Sequence, residues 1–86
     1  MPEISRFYGI VIYMYFRDHS PPHFHAKYSG NEAVFLIEDL KLVRGELPRR
    51  ALNLVLEWAE LHQTELREAW QDAQKYDKIR TIDPLP

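Results

Sequence analysis

Two adjacent prolines, Pro21 and Pro22, lead into the alternating run His23-Phe24-His25-Ala26-Lys27-Tyr28, and this stretch constrains the fold more than any other. Proline fixes φ, removes a backbone donor and pushes the residue before it towards extended geometry. Ser20 to Pro22 therefore reads as a stiff extended entry, with a strand beginning at His23. Successive side chains on a strand point to opposite faces. That puts His23, His25 and Lys27 on one face and Phe24, Ala26 and Tyr28 on the other. The second set is apolar and reads as core. The first is polar, titratable and aligned, which marks a candidate site without naming its chemistry.

The rest of the chain is read against that strand. Phe7–Phe16 is dense in aromatic and β-branched residues and reads as a first strand. Both its faces are largely apolar, as in a strand covered at least partly on both sides. The loop Arg17–Pro22 leads into the second strand, His23–Tyr28. Ser29-Gly30-Asn31 is a compact turn signal, and Glu32–Ile37 is the third strand of an antiparallel meander. Lys41–Arg44 adds a short edge strand. Pro48 suits the first turn of a helix. Beyond it Leu52, Val55, Ala59, His62, Leu66, Ala69 and Ala73 recur at steps of three or four, widened by Leu56, Trp58 and Trp70. This pattern covers Pro48 to about Lys75. A straight helix of that length spans ~40 Å and overhangs a small sheet, so a break is expected near His62–Thr64, with Thr64 capping the second segment. Tyr76–Pro86 is a tail that either docks as an extended strand or stays mobile. The expected architecture is α+β in two layers: an antiparallel sheet of three to four strands followed by a long, broken C-terminal helix, in a single domain over residues 1–86.

Bulk properties limit the function classes. With 45% hydrophobic and 13% aromatic residues in 86, the chain can build a core and is not of disordered type. That core is thin, which makes a homodimer or a partner protein an expected source of extra burial. There is no cysteine, which excludes disulfides and thiolate metal sites. The apolar run Gly9–Phe16 is far too short to span a bilayer, and Met1-Pro2-Glu3 carries no basic region ahead of an apolar stretch. The expectation is a cytoplasmic protein without a membrane association. Residues 1–50 hold seven Lys/Arg and six Asp/Glu, while Ala51–Ala73 hold five acids and one base. A mildly basic strand half is thus joined to an acidic helix, and the sequence pI of about 6.0 argues against broad nucleic-acid affinity.

Four segments carry a resemblance: Ile4-Ser5-Arg6-Phe7-Tyr8-Gly9, Ile12-Tyr13-Met14-Tyr15, Pro21-Pro22-His23-Phe24-His25-Ala26 and Gly45-Glu46-Leu47-Pro48. Together they resemble a family of small prokaryotic proteins labelled domain of unknown function DUF4160, over essentially the whole chain. The label implies no reaction. Genes of that family often lie beside another small family, as toxin–antitoxin pairs do, which implies a small cognate protein encoded nearby as partner. A weaker similarity is to small messenger-RNA-cleaving toxins with a double-stranded-RNA-binding-like fold. Those place a histidine on a sheet strand and enter a helix through a Gly-x-Leu segment, to which Gly45-Glu46-Leu47 corresponds.

Three chemistries fit the histidine stretch. Metal-free RNA cleavage needs a base for the 2′-OH, an acid for the leaving oxygen and a cation for the phosphate. Histidine as a residue type titrates near working pH, which suits His23 or His25 to the proton roles, and Lys27 supplies the charge. Tyr13 or Tyr15 on the neighbouring strand offers a ring for stacking a base. Arg44, Arg49 and Arg50 are further candidate RNA contacts, the last two sitting at a helix start where cations oppose the macrodipole. This reading needs no cofactor. A metal reading uses His19, His23 and His25 to hold zinc or nickel, with Asp18 or Glu32 as supporting carboxylates. The third reading makes the histidine–tyrosine face a non-enzymatic protein-interaction surface. His62, alone on the helix stripe, reads as a core or boundary histidine.

Overall fold

The computed structural model describes residues 2–86. Its order is β1 (Glu3–Phe7), β2 (Ile10–Tyr13), β3 (His23–Tyr28), β4 (Asn31–Leu36), β5 (Leu42–Gly45), α1 (Arg49–Leu61) and α2 (Gln63–Gln74). The strands form one antiparallel sheet in sequence order, β1 to β5. The α+β expectation holds, with five strands in place of three to four and two helices in place of one.

The extra strand comes from the stretch read as Phe7–Phe16. It is not one strand but the turn and second arm of a hairpin, in which Phe7 pairs with Ile10. Tyr8 and Gly9 both take positive φ, 49° and 81°, the pair of left-handed residues that a two-residue hairpin turn requires. Gly9 meets this without a Cβ penalty. The lead-in Met1–Arg6 is thereby recruited as β1, Met1 itself lying outside the described residues. Met14–Phe16 leave the sheet. The edge strand β5 lies one residue later than Lys41–Arg44.

The helical stretch breaks at His62, which has φ −119° and ψ 25° and ends α1 through bonds from its N–H to the Trp58 and Ala59 carbonyls. Thr64 lies inside α2 and does not cap it. The residue at the cap is His62, without a side-chain capping bond. The break has a size reason: the molecule is 33 Å along its longest axis, shorter than the ~40 Å of a continuous helix.

The two helices cover one sheet face. Ile10, Ile12, Phe24, Ala26, Ala33 and Phe35 from the strands meet Val55, Trp58, Leu66, Ala69 and Ala73 from the helices, all essentially without exposure. Each such large side chain contributes about 1.5–3 kcal/mol by leaving water. Trp58 is central, its ring 5.4 Å from Phe7 and 6.0 Å from Phe24. The tail after α2 docks. Ile79, Ile82 and Leu85 are buried, Ile82 N–H donates to the Ile4 carbonyl (2.8 Å), and Trp58 Nε1–H donates to the Asp83 carbonyl (2.8 Å). No helix among the described residues is long and apolar enough to cross a membrane. With the helices and tail on one side, the opposite sheet face is left to the polar residues of β3.

Candidate functional site

Register builds the site. Tyr13 of β2 pairs with His25 of β3, His25 with Val34 of β4, and Val34 with Arg44 of β5. Cross-strand partners share a face, so Tyr13, His25, Val34 and Arg44 form one row across the open side. His23 stands one step along β3 opposite Leu36, and Lys27 one step the other way opposite Glu32. A pocket of about 380 Å³ opens over the His23 end of this face, with Tyr15, His19, His25 and Arg44 among its walls.

The loop Met14–Pro22 closes the pocket and brings in Asp18. The end of α2 fixes this loop: Arg17 N–H donates to the Ala73 carbonyl (3.1 Å), and Gln74 Nε2 donates to the Asp18 carbonyl (3.2 Å). Asp18 Oδ1 accepts the His19 N–H (2.9 Å). Asp18 Oδ2 lies 2.8 Å from His23 Nε2 and 3.4 Å from His25 Nε2. The other ring nitrogen of His23, Nδ1, is 2.8 Å from the Pro21 carbonyl. The carbonyl and the carboxylate both only accept, so a neutral ring, with one N–H, satisfies one of the two contacts. His23 is buried, with the Trp70 ring 5.1 Å away.

Electrostatics follow this packing. Burial pushes the Asp18 carboxyl up, but the His19 N–H and the two histidine rings outweigh it and hold the group below the usual carboxylate value. Burial depresses His25, against an opposing pull from Asp18. Beneath His25 lies Tyr13, stacked at 5.0 Å and 16°, with its hydroxyl donating to Glu32 Oε1. Burial first, and then that carboxylate, raise the Tyr13 phenol above its ordinary pKa. Tyr15 meets His25 edge-on at 5.0 Å. Lys27 sits over the Tyr13 ring at 5.6 Å.

The residues singled out from sequence divide accordingly. His23, His25, Tyr13, Tyr15, Lys27 and Arg44 share the open face. Tyr13 is fully buried, so Tyr15, 42% exposed, is the tyrosine with ring surface available to a ligand. Arg49 and Arg50 do not join them; they border a separate depression on α1 with Asn53 and Glu57. His62 is also apart, 2.5 Å from Glu65 and against Trp58. The triad expected for a metal, His19, His23 and His25, is corrected in one member. The three donors that converge, all within 4.8 Å of one another, are Asp18, His23 and His25. His19 projects outwards, its side chain 75% exposed, and contacts the other oxygen of Asp18. Sequence reasoning gave Asp18 only a supporting role, because nothing in the local pattern says how the loop folds back.

A family model described as "Domain of unknown function (DUF4160)" matches residues 9–71. No curated protein and no solved structure matches the chain.

Proposed function

The chain belongs to the domain-of-unknown-function family DUF4160, and we propose that it binds and cleaves RNA at the pocket on its open sheet face, as one component of a two-protein module of toxin–antitoxin type. The observation that carries this reading is the meeting of three unlike elements in one pocket: the Asp18–His23–His25 cluster, the exposed Tyr15 ring and Arg44. A ribonucleotide presents a base face, a phosphate and a reacting hydroxyl. An exposed aromatic ring on a sheet stacks the base. A guanidinium grips phosphate oxygens in bidentate fashion, and among the described residues Arg44 forms no ion pair that competes for it. The Asp18–His23–His25 cluster is the reactive centre. Lys27, likewise without an ion pair, extends the positive strip along the face.

The test is direct. Inducing the protein without its genomic neighbour should arrest growth, and the purified protein should cut single-stranded RNA. His25→Ala should abolish cutting. Arg44→Ala and Tyr15→Ala should weaken RNA binding while leaving the fold, read by circular dichroism, intact. Wild-type protein that neither slows growth nor binds RNA, yet captures the neighbouring gene product with His23 and His25 both replaced by Ala, would show the histidine cluster to be structural and the domain to be an interaction module.

A further inference from the structure

We propose that Asp18, His23 and His25 bind one divalent transition-metal ion of the zinc or nickel type through Oδ2, Nε2 and Nε2, with the remaining coordination positions facing the pocket. The inference rests on coordination geometry and does not depend on the RNA reading.

It begins with a count of donors and acceptors. His23 Nδ1 carries its proton towards the Pro21 carbonyl, so a neutral ring presents a lone pair at Nε2. What that lone pair faces at 2.8 Å is a carboxylate oxygen, which also only accepts. His25 Nε2 points at the same oxygen from 3.4 Å. With the Nδ1–H tautomer in both rings, three electron-pair donors face one point, the arrangement that a cation completes. A neutral His25 ring can donate its own Nε2–H to Oδ2, but a neutral His23, its one proton turned to the Pro21 carbonyl, then has no partner at Nε2. One metal ion serves all three donors.

The distances agree. Nitrogen and oxygen ligands sit about 2.0–2.1 Å from zinc, which places neighbouring ligands about 2.8–3.4 Å apart for angles between octahedral and tetrahedral. The two N···O separations, 2.8 and 3.4 Å, lie at the ends of that interval. The surroundings agree as well. A metal-bound imidazole characteristically donates its other N–H to a carbonyl or carboxylate, as His23 does. The spare carboxylate oxygen is engaged by the His19 N–H, leaving Oδ2 for the ion. Trp70 backs His23, Tyr13 and Tyr15 fix the His25 ring, and the end of α2 pins the Asp18 loop, so little ordering is left for binding to drive. Two imidazoles with one carboxylate and no thiolate select zinc, nickel, cobalt or ferrous iron over the all-oxygen preference of magnesium and calcium. Three protein ligands beside an open pocket is the pattern of a site that takes water or substrate in its free position.

The experiment titrates chelator-treated protein with cobalt, read by its visible ligand-field bands, then displaces the cobalt with zinc. Saturation at one ion per chain is expected, with magnesium inert. Asp18→Asn keeps the shape of the loop residue but removes the anionic ligand, and should weaken binding by about 100-fold or more, at or beyond the top of the range for losing a mere supporting group. His23→Gln should do the same. If that variant fails to fold, because His23 is packed on Trp70, Asp18→Asn still decides the matter. His19→Ala should bind as wild type does. The inference is overturned if no stoichiometric ion binds, if Asp18→Asn binds like wild type, or if His19→Ala loses as much as Asp18→Asn. Protein that binds no ion yet cuts RNA would overturn the metal and leave the RNA reading standing; metal-loaded protein that ignores RNA would do the reverse.

Discussion

Replacing Tyr13 by Phe removes a single oxygen from the support beneath His25. The ring is fully buried and stacked on the histidine, and both features survive in Tyr13→Phe, so the cavity cost is negligible. What disappears is the hydrogen bond from the hydroxyl to Glu32. A bond to a charged acceptor is worth about 1.5–3 kcal/mol. Glu32 is exposed, so water takes over the freed carboxylate, and the loss should be about 1–2 kcal/mol. In a chain of this size that lowers Tm by about 4–16 °C. The pH dependence is the sharper test. Burial and Glu32 raise the folded pKa of Tyr13. A group raised in this way contributes its full stability below its unfolded pKa, about 10 for tyrosine, and loses it as pH climbs through the folded value. The stability gap between wild type and Tyr13→Phe should therefore stay constant up to about pH 10. Above that it should close by up to about 1.4 kcal/mol per pH unit. Urea denaturation of the two proteins side by side measures the gap, and the difference cancels the other alkaline titrations. A gap that persists unchanged into the alkaline range, or no gap at neutral pH, refutes the reasoning.

Other perturbations follow from the packing. Trp58→Phe leaves the Asp83 carbonyl without its donor and opens space in the core, so urea denaturation should show a loss of about 2–4 kcal/mol. Limited proteolysis of that variant should cut sooner within residues 79–86. Gly45 has φ +74°, and a Cβ there would stand 2.0 Å from the Glu32 carbonyl oxygen. Gly45→Ala must push β5 off β4, at a cost of about 3 kcal/mol or more by thermal melt, and RNA affinity should fall with it because Arg44 moves too. Arg80 bridges Asp72 and Glu68 in half-exposed surroundings, and Arg80→Ala should shift the melting midpoint only slightly, because water screens such pairs.

Those sites also show what could be read in advance. The strand His23–Tyr28 has the bounds its prolines and alternation announce, because both signals are local. Face assignment follows from alternation, which is why Phe24 and Ala26 lie in the core and His25 outside it. The helix break at His62 was legible from length alone. The Tyr8-Gly9 turn was not: tyrosine carries no signal for a positive φ, and a lone glycine inside an apolar run reads equally well as part of a strand. Thr64 was misplaced because a good capping residue does not form a cap when the backbone turns two positions earlier. Asp18 was undervalued for a deeper reason. Its place is set by Ala73 and Gln74, far along the chain, and tertiary contacts of that kind leave no trace in the spacing of nearby residues. Arg49 and Arg50, in contrast, were grouped with Arg44 by nearness in sequence, and the helix they begin carries them to another surface.

The order of the strands bears on how the protein assembles over time. Tyr8-Gly9 and Ser29-Gly30 each close a hairpin between sequence neighbours, and units so local zip within about 1–10 μs. The two hairpins are joined by Met14–Pro22, and they become one sheet only when β2 finds β3 in the register that sets Tyr13 against His25. Asp18 rides on that joining loop, while both histidines belong to the second hairpin. The three donors therefore come together only once the hairpins have docked and the end of α2 holds the loop. Substitutions in either tight turn delay the making of a half, whereas changes in the joining loop alter the rate at which the halves meet. If the proposed metal site holds, ion uptake during refolding should report when the loop, the second hairpin and the end of α2 have met.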